Sequence, residues 1–333
     1  MTRGAIVLLT TIAACACSGE SLTAGATEPV RVYDVLLKED AQFKAGKLPG
    51  KQPLTSEQVT AGTKPTKPNV TSLVSANGVT FAGATGKLFT GRVSPDAAAL
   101  GVRFASAGSG YWLFPAGSPD PQNNGELEFS ASIDVAQDAP TGTQHLLFVA
   151  LDERGRAGTQ FDEELCVAPV IPDNLNACRP AIEPPALVIS LAWDTPVDLD
   201  LEVVTPDGKL VDPKHPSTVP SDGDAGVPTP LPSDAGVIDR DSNAGCVIDG
   251  FQREDLVFQQ KPPKGHYLVY ANLFDSCGQA YVRFDLTFHA ARPGKKAGTY
   301  TTVQTYETSG ELLQIQENGG AGRGTYVTEF DSQ

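Results

Sequence analysis

The stretch Glu126-Leu-Glu-Phe-Ser-Ala-Ser-Ile-Asp-Val135 sets the fold class of this 333-residue chain. Its apolar residues alternate with polar ones from Leu127 to Ile133, which is the period of a β-strand with one buried face. Turn-forming Gly, Pro, Asn and Asp separate it from five similar runs: Val70–Val74, Lys87–Val93, Val102–Ala105, Tyr111–Phe114 and Gln144–Asp152. With no amphipathic helical pattern nearby, these runs predict an antiparallel β-sandwich over residues 69–168.

A second β-rich region follows a proline-punctuated junction at residues 169–185. Eight strand-like runs predict another antiparallel sandwich over residues 186–333: Ala186–Trp193, Leu199–Val204, Leu256–Gln259, His266–Phe274, Ala280–Ala290, Tyr300–Tyr306, Leu312–Gln316 and Thr325–Phe330. An acidic, proline-rich insertion with an internal near-repeat interrupts this region at about residues 213–237. Its low complexity predicts disorder. The fold class is therefore all-β, with two sandwiches in tandem.

The N-terminus has the features of a secretory leader. Met1-Thr-Arg3 precedes an apolar run that ends at Ala14, too short to span a bilayer. The last three residues of this run and the next one, Ile12-Ala-Ala-Cys15, resemble the lipobox of bacterial lipoproteins, which implies cleavage after residue 14 and acylation of Cys15. Ala16 is not the aspartate associated with inner-membrane retention, so the resemblance implies an outer-membrane protein. Ordinary secretion, with cleavage before Cys17, is the alternative.

Residues 15–68 read as a lipid anchor and flexible tether. The segment is rich in Gly, Thr, Lys, Pro and Gln, and only Val30–Leu37 is strand-like. The whole chain carries 25 Lys+Arg against 40 Asp+Glu, a net charge of −15. Phosphate backbones repel so acidic a protein, which argues against nucleic-acid binding and favours a cation or a basic partner.

Four cysteines remain beyond the leader region: Cys166, Cys178, Cys246 and Cys277. An even number in an exported protein indicates disulfides. The sequence permits three pairings. We favour Cys166–Cys178 and Cys246–Cys277, because each closes a local loop within one apparent unit. A zinc site is disfavoured, because C-x-x-C spacing and neighbouring histidines are missing.

Two segments resemble known domains of exported bacterial proteins. Pro140-Thr-Gly-Thr-Gln-His-Leu-Leu-Phe-Val-Ala-Leu-Asp-Glu-Arg-Gly155 resembles the last hairpin of an Ig-like surface domain. Leu191-Ala-Trp-Asp-Thr-Pro-Val-Asp-Leu-Asp-Leu-Glu-Val-Val-Thr-Pro-Asp-Gly208, with Ile238–Cys246 and Pro263–Tyr270, resembles the YfaP-like domains, which are similar in style to bacterial pre-peptidase C-terminal sandwiches. The second resemblance implies a non-catalytic all-β module, although the insertion departs from the expected short connection.

The same region contains a candidate Ca²⁺ site. Alternation along the strand Leu199–Val204 places Asp198, Asp200 and Glu202 on one face. Asp239-Arg-Asp241-Ser-Asn243 follows the D-x-D-x-N spacing of calcium loops, although the glycine and acid that complete an EF-hand are missing. Our candidate ligands are Asp198, Asp200, Asp239, Asp241 and Asn243, around a structural ion. The alternative is a solvated acidic sheet face with Asx-turns in the loop.

Catalytic motifs are missing from the sequence: G-x-S-x-G, H-E-x-x-H, Walker A and G-x-G-x-x-G do not occur. The four histidines, His145, His215, His266 and His289, read as structural or solvated. We therefore expect a non-enzymatic outer-membrane lipoprotein that binds an envelope protein or glycan. The alternatives are an unrecognised secreted hydrolase or its accessory domain, and a purely structural envelope protein. A cleft that joins His266 or His289 to a carboxylate favours the enzyme.

Overall fold

The computed structural model describes residues 25–32, 41–123, 125–219 and 231–333, which form an all-β fold. Two groups of sheets follow one another along the chain, and each encloses its own apolar core. The prediction of an all-β protein built from sandwiches is confirmed. The leader at residues 1–14, Cys15 and Cys17 lie outside the described residues, so cleavage and acylation stay predictions.

The first unit consists of two sheets. One has the strand order β1 (Val30–Arg31), β9 (Leu127–Val135), β6 (Lys87–Val93) and β4 (Val70–Ser75). The other has the order β2 (Gln42–Ala45), β8 (Gly110–Pro115), β7 (Ala99–Phe104), β10 (Gly142–Leu151), β11 (Thr159–Ala168) and β3 (Lys51–Thr55), and β5 (Val79–Phe81) also pairs with β11. Both β3 and β5 run parallel to β11. Alternate residues of β9 enter the core, as its sequence predicts.

The flexible tether predicted for residues 15–68 is wrong for the part that the structure describes. Strands β1, β2 and β3 pair with β9, β8 and β11, and the short helix α1 (Ser56–Thr60) follows β3. The Trp112 indole N–H donates to the carbonyl of Val30 at 2.7 Å, and Leu48 is buried beside Val149. The strand-like run Val30–Leu37 contains β1, and its residues 33–37 lie outside the described residues. Backbone pairing at sheet edges needs no apolar periodicity, which is why the sequence pattern did not reveal β2 and β3.

The second unit also has two sheets. One has the order β15 (Gly236–Ile238), β16 (Arg253–Phe258), β12 (Leu187–Trp193), β18 (Tyr281–Pro293) and β19 (Tyr300–Leu313). The other has the order β14 (Leu210–Val211), β13 (Asp198–Val204), β17 (Gly265–Asp275) and β20 (Thr325–Ser332), and all pairs in the unit are antiparallel. The disorder predicted for residues 213–237 is wrong at the C-terminal end, where β15 pairs with β16. Residues 220–230 lie outside the description.

An ordered junction connects the two units. Cys166 at the end of β11 is bonded to Cys178, as predicted. The Thr143 hydroxyl donates to the Cys178 carbonyl at 3.3 Å, and the Asn176 amide donates to the Tyr300 carbonyl at 3.2 Å. The junction therefore contacts both units. Among the described residues, no helix has the length and apolar character needed to cross a membrane.

Candidate metal centre

Three carboxylates from two segments converge beside strand β13. Leu199, Leu201 and Val203 fill the core, so the intervening acids point to the opposite face of the strand. The loop between β15 and β16 brings Asp241 to the same place. One ligand atom from each of Asp198, Asp200 and Asp241 lies within 4.8 Å of the others. We call these three residues the carboxylate cluster.

The acids of β13 are buried, which contradicts the alternative of a solvated acidic sheet face. Asp198 is 2% exposed, Asp200 8% and Glu202 3%, whereas Asp241 is exposed. Two carboxylates of the cluster, those of Asp198 and Asp200, are therefore buried, and the third, that of Asp241, is exposed to solvent. Burying a carboxylate is costly unless hydrogen bonds or an opposite charge compensate.

Hydrogen bonds satisfy only part of the cluster. The Gly245 N–H donates to Asp198 Oδ2 at 2.7 Å, and the Asn272 amide approaches Asp200 Oδ2 at 3.5 Å. Neither Asp198 Oδ1 nor Asp200 Oδ1 accepts a hydrogen bond from the described residues. Glu202 differs, because its Oε2 accepts the Gly324 N–H at 2.8 Å. One oxygen of Asp198 and one of Asp200 are therefore left without a donor among the described residues, on side chains that are more than nine-tenths buried.

The electrostatics of the cluster favour a bound cation. Burial, followed by the charges of Asp198 and Asp241, raises the pKa of Asp200 from 3.8 to about 8. Burial also raises the pKa of Asp198 to about 6, against the opposing Gly245 hydrogen bond, and raises that of Asp241. Within the described part of the chain, no Lys, Arg or His lies within 4.0 Å of these carboxylates. The Lys214 ammonium acts on Asp198 only at longer range and lies 4.8 Å from the Phe274 ring centre.

Sequence reasoning missed Glu254, whose carboxylate bonds to both segments that carry the cluster. Its side chain is fully buried; one oxygen accepts the Leu201 N–H at 2.7 Å and the other accepts the Ser242 N–H at 3.2 Å. Leu201 follows Asp200, and Ser242 follows Asp241. Glu254 therefore holds together the two segments that carry the carboxylates. Burial and then the Asp200 charge raise its pKa well above the ordinary value. The signal in the sequence was a pair of acids, Glu254-Asp255, directly before the apolar run Leu256–Phe258.

The structure does not place the other two predicted ligands, Asp239 and Asn243, in the cluster. Asp239 accepts the Asp255 N–H at 3.0 Å and pairs with Arg240 at 2.8 Å. Asn243 lies in the left-handed region at φ 63°; its amide donates to Val197 O at 2.9 Å, and its carbonyl oxygen accepts the Asp249 N–H at 3.1 Å. Both residues shape the loop, although Asn243 bonds the N–H six residues on and not the one two residues on that an Asx-turn uses.

The second predicted disulfide, Cys246–Cys277, is also present. Its sulfur atoms lie near the Asp275 carboxylate, but disulfide sulfur provides no thiolate for a metal. The donors of the carboxylate cluster are all hard oxygens, which suit Ca²⁺ and do not suit a structural zinc ion. The chemistry of the residues therefore fits the predicted ion at three of the five predicted positions.

The histidines lie apart from the cluster. His145, His215 and His266 each contact one aspartate, at 2.9, 2.9 and 3.0 Å. The enzyme alternative depends on His266 or His289. His266 pairs with Asp331 on an exposed surface, and His289 contacts the Thr287 hydroxyl at 3.0 Å. The hydrogen bond that the Asp331 carboxylate accepts from the His266 ring raises the pKa of His266, and burial lowers that of His289.

The fold and the cluster define an all-β protein with two disulfides and a carboxylate-rich candidate cation site. No known protein family and no curated protein match the sequence. Two solved structures show weak similarity. A chain from a structure described as the complete manganese lipoxygenase of Gaeumannomyces graminis and partial zonadhesin of Komagataella pastoris is 10% identical over 76% of this chain and 95% of that chain, at a TM-score of 0.18. The C-terminal domain of the AgI/II polypeptide BspA of Streptococcus agalactiae is 11% identical over 81% and 90%, at 0.18. Similarity at this level carries no argument about function.

Proposed function

We propose that this protein is a non-enzymatic, lipid-anchored binding module of the bacterial outer membrane, in which Asp198, Asp200 and Asp241 hold a structural Ca²⁺ ion. The observation that supports the ion is the buried carboxylate cluster, which has no cationic side chain within 4.0 Å among the described residues. The leader sequence and the two disulfides support an address in an oxidising compartment.

The cluster needs a proton or a cation at neutral pH. Two of its carboxylates are more than nine-tenths buried, and like charges at this separation repel strongly in a region of low dielectric. Without a cation, a proton on Asp200, whose pKa is raised to about 8, relieves the repulsion at neutral pH. Ca²⁺ relieves it in place of that proton, because carboxylate oxygens at 2.3–2.6 Å are its preferred ligands. Three carboxylates offer up to six oxygens, and water reaches the exposed Asp241 side.

The ion acts as a cross-link in this proposal. Asp198 and Asp200 belong to the central strand β13, whereas Asp241 belongs to an irregular loop. Binding therefore ties the loop to the sheet, and the expected gain is in stability. The free energy of unfolding rises by ~2.7 kcal/mol when the free ion reaches about one hundred times its Kd.

Calorimetry tests the metal site. Thermal unfolding and isothermal titration are measured in EGTA, in excess Ca²⁺ and in excess Mg²⁺. We expect Ca²⁺ to raise Tm and to titrate with one ion per chain, and Mg²⁺ to have less effect because it dehydrates reluctantly. D241N removes a cluster carboxylate, whereas D239N changes an acid that lies elsewhere in the same loop. A Tm that excess Ca²⁺ leaves unchanged contradicts the proposal.

The lipid anchor is tested separately from the metal. Cys15 and Cys17 are neighbouring cysteines, and only Cys15 follows the lipobox-like residues. We expect the wild type and C17S to partition into the detergent phase of a Triton X-114 extract, and C15S to remain in the aqueous phase. Partition of all three proteins into the aqueous phase supports ordinary secretion instead.

The partner is an envelope protein or a glycan in this proposal. The acidic net charge of −15 favours a partner with a basic surface. Pull-down from envelope extract, with and without Ca²⁺, identifies it, and D200N reports whether capture depends on the cation site. Equal recovery from wild type and from a denatured sample argues for a purely structural envelope protein.

A further inference from the structure

The loop that carries Asp241 is fastened to the sheet at several points around the carboxylate cluster. We call residues 239–252 the ligand loop. Three hydrogen bonds hold it beside the cluster: the Asn243 amide to Val197 O, the Gly245 N–H to Asp198, and the Ser242 N–H to Glu254. At the two ends of the loop, Asp239 pairs with Asp255, and Gln252 O accepts the Trp193 N–H. The Cys246–Cys277 disulfide is the only covalent connection of the loop among the described residues.

The disulfide joins the ligand loop to the strand that neighbours Asp198. Cys277 follows the end of β17, and its N–H donates to Asp275 Oδ1 at 2.7 Å. Asp275 is the register partner of Asp198 across the β13–β17 pair. Cys246 lies five positions after Asp241 in the sequence. The covalent bond therefore limits how far the loop segment after Asp241 can move from the end of β17.

Within the ligand loop, hydrogen bonds to Asp249 and Asn243 hold its shape: the Ser242 hydroxyl donates to Asp249 Oδ1 at 2.9 Å, and the Asp249 N–H donates to Asn243 Oδ1 at 3.1 Å. Asn243 and Cys246 adopt φ of 63° and 62°, a left-handed conformation that is unfavourable for non-glycine residues. Two apolar residues just after Cys246 are largely in solvent, with Val247 74% and Ile248 52% exposed. Apolar packing therefore does not secure this part of the loop, which depends on hydrogen bonds and on the disulfide.

We propose that the Cys246–Cys277 disulfide is a positioning element of the cation site, which holds Asp241 against Asp198 and Asp200 so that loss of the bond weakens Ca²⁺ binding. The inference rests on the proposed Ca²⁺ site. Asp200 supports the inference: its side chain is 8% exposed, and one of its oxygens has no hydrogen-bond donor among the described residues. A binding site of three carboxylates also requires Asp241 beside Asp198 and Asp200.

The first test compares two disulfide variants of the full chain. C246S/C277S removes the bond beside the cluster, and C166S/C178S removes the bond at the junction. Ca²⁺ affinity is measured by isothermal titration, and circular dichroism checks that each variant is folded. We expect the Kd of C246S/C277S to rise by about 10- to 100-fold, as for other groups that orient metal ligands, and that of C166S/C178S to change less than about twofold. Equal affinities in all three proteins overturn the inference.

The second test needs no variant. Because coupling between two equilibria is reciprocal, Ca²⁺ must protect Cys246–Cys277 from reduction by the same factor by which the bond improves Ca²⁺ affinity. Wild type is equilibrated in glutathione buffers with Ca²⁺ or EGTA, and labelled thiols are counted by mass spectrometry. Each reduced bond yields two protein thiols and consumes two glutathione molecules, which form one glutathione disulfide. We expect Ca²⁺ to shift the Cys246–Cys277 equilibrium about 10- to 100-fold and to leave Cys166–Cys178, the internal control, unshifted.

The two proposals fail in different ways. Absence of Ca²⁺ binding to the oxidised wild type refutes the metal site itself. Binding to the wild type with an unchanged Kd in C246S/C277S, or with no protection of the bond, leaves the metal site standing and refutes the role of the disulfide.

Discussion

Replacing Asp200 by asparagine should stabilise the metal-free protein, although it removes a buried, strand-borne group. Burial, and then the charges of Asp198 and Asp241, raise the pKa of Asp200 from 3.8 to about 8. Since each tenfold change in acidity is worth ~1.4 kcal/mol, this rise corresponds to ~6 kcal/mol against the ionised form. Water entry and loop relaxation reduce the cost, so we expect D200N to gain about 2–4 kcal/mol at pH 8.5 in EGTA.

The pH dependence follows from the same shift. Below pH 3.8, Asp200 is protonated in the folded and unfolded states and costs nothing. Between 3.8 and about 8, the folded protein keeps a proton that the unfolded chain has lost, so stability falls as the pH rises. Above about 8, the carboxylate is ionised in both states and the full penalty applies. D200N should therefore lack this part of the decline in stability.

Urea unfolding from pH 5 to pH 9, in EGTA and in Ca²⁺, measures these effects. Ca²⁺ should stabilise the wild type by ~2.7 kcal/mol at about one hundred times its Kd, and should stabilise D200N much less. D285N is the matched control, because Asp285 is an exposed strand residue of the same unit, and it should change stability by less than about 0.5 kcal/mol. If D200N is less stable than the wild type in EGTA at pH 8.5, or if Ca²⁺ stabilises both equally, the electrostatic reasoning is wrong.

Three further predictions test the site, the core and the N-terminal strands. D241N should weaken Ca²⁺ binding by about tenfold or more, because affinity follows ligand charge, whereas D239N should leave the titrated Kd unchanged; equal losses contradict the assignment of ligands. L201A should lower the free energy of unfolding in urea by about 2–5 kcal/mol, because Leu201 is fully buried, and a smaller loss means that β13 is not packed as described. E28A should cost about 1–3 kcal/mol in the same assay, because the Ser109 N–H loses its acceptor; no loss favours a flexible tether at this position.

The sequence predicts a strand well where the strand buries one face. The alternation in β9 and β13 places their apolar residues in the two cores, as expected. Strand β11 was missed, because Asp162-Glu-Glu164 interrupts its apolar residues, although the strand pairs with β10, β3 and β5. Strands β2 and β3 were missed for a different reason. Edge strands gain their stability from backbone hydrogen bonds, and those bonds leave no pattern in the side chains.

The site was predicted in part. Alternation identified Asp198 and Asp200, and the loop motif identified Asp241. The same motif also suggested Asp239 and Asn243, because a local spacing describes neither the left-handed turn at Asn243 nor the strand pairing that draws Asp239 toward the Asp255 N–H. Tertiary contacts decide which loop oxygens face the strand, and no local pattern contains them.

Whether the acids of β13 face water depends on what covers the outer surface of their sheet. Two segments without apolar periodicity provide the cover. Gly324 donates to Glu202, and Asn318 donates to Asn272 Oδ1 at 2.6 Å, so the loop before β20 lies over the acids from one side. Lys214 contacts the same loop at Gly320, where φ is +73° and a Cβ would lie 2.5 Å from the ammonium nitrogen.

The cover changes the electrostatic problem. It removes water from the acids of β13 and adds two cations: Lys214, which stacks on Phe274, and Arg323, whose charge opposes the raised pKa of Glu202. Neither makes an ion pair within 4.0 Å among the described residues. Two distant cations do not balance the carboxylates of Asp198, Asp200 and Asp241. At neutral pH the fold must therefore hold protons on these acids or bind a cation, and only the second state lets the cluster contribute to stability above pH 8.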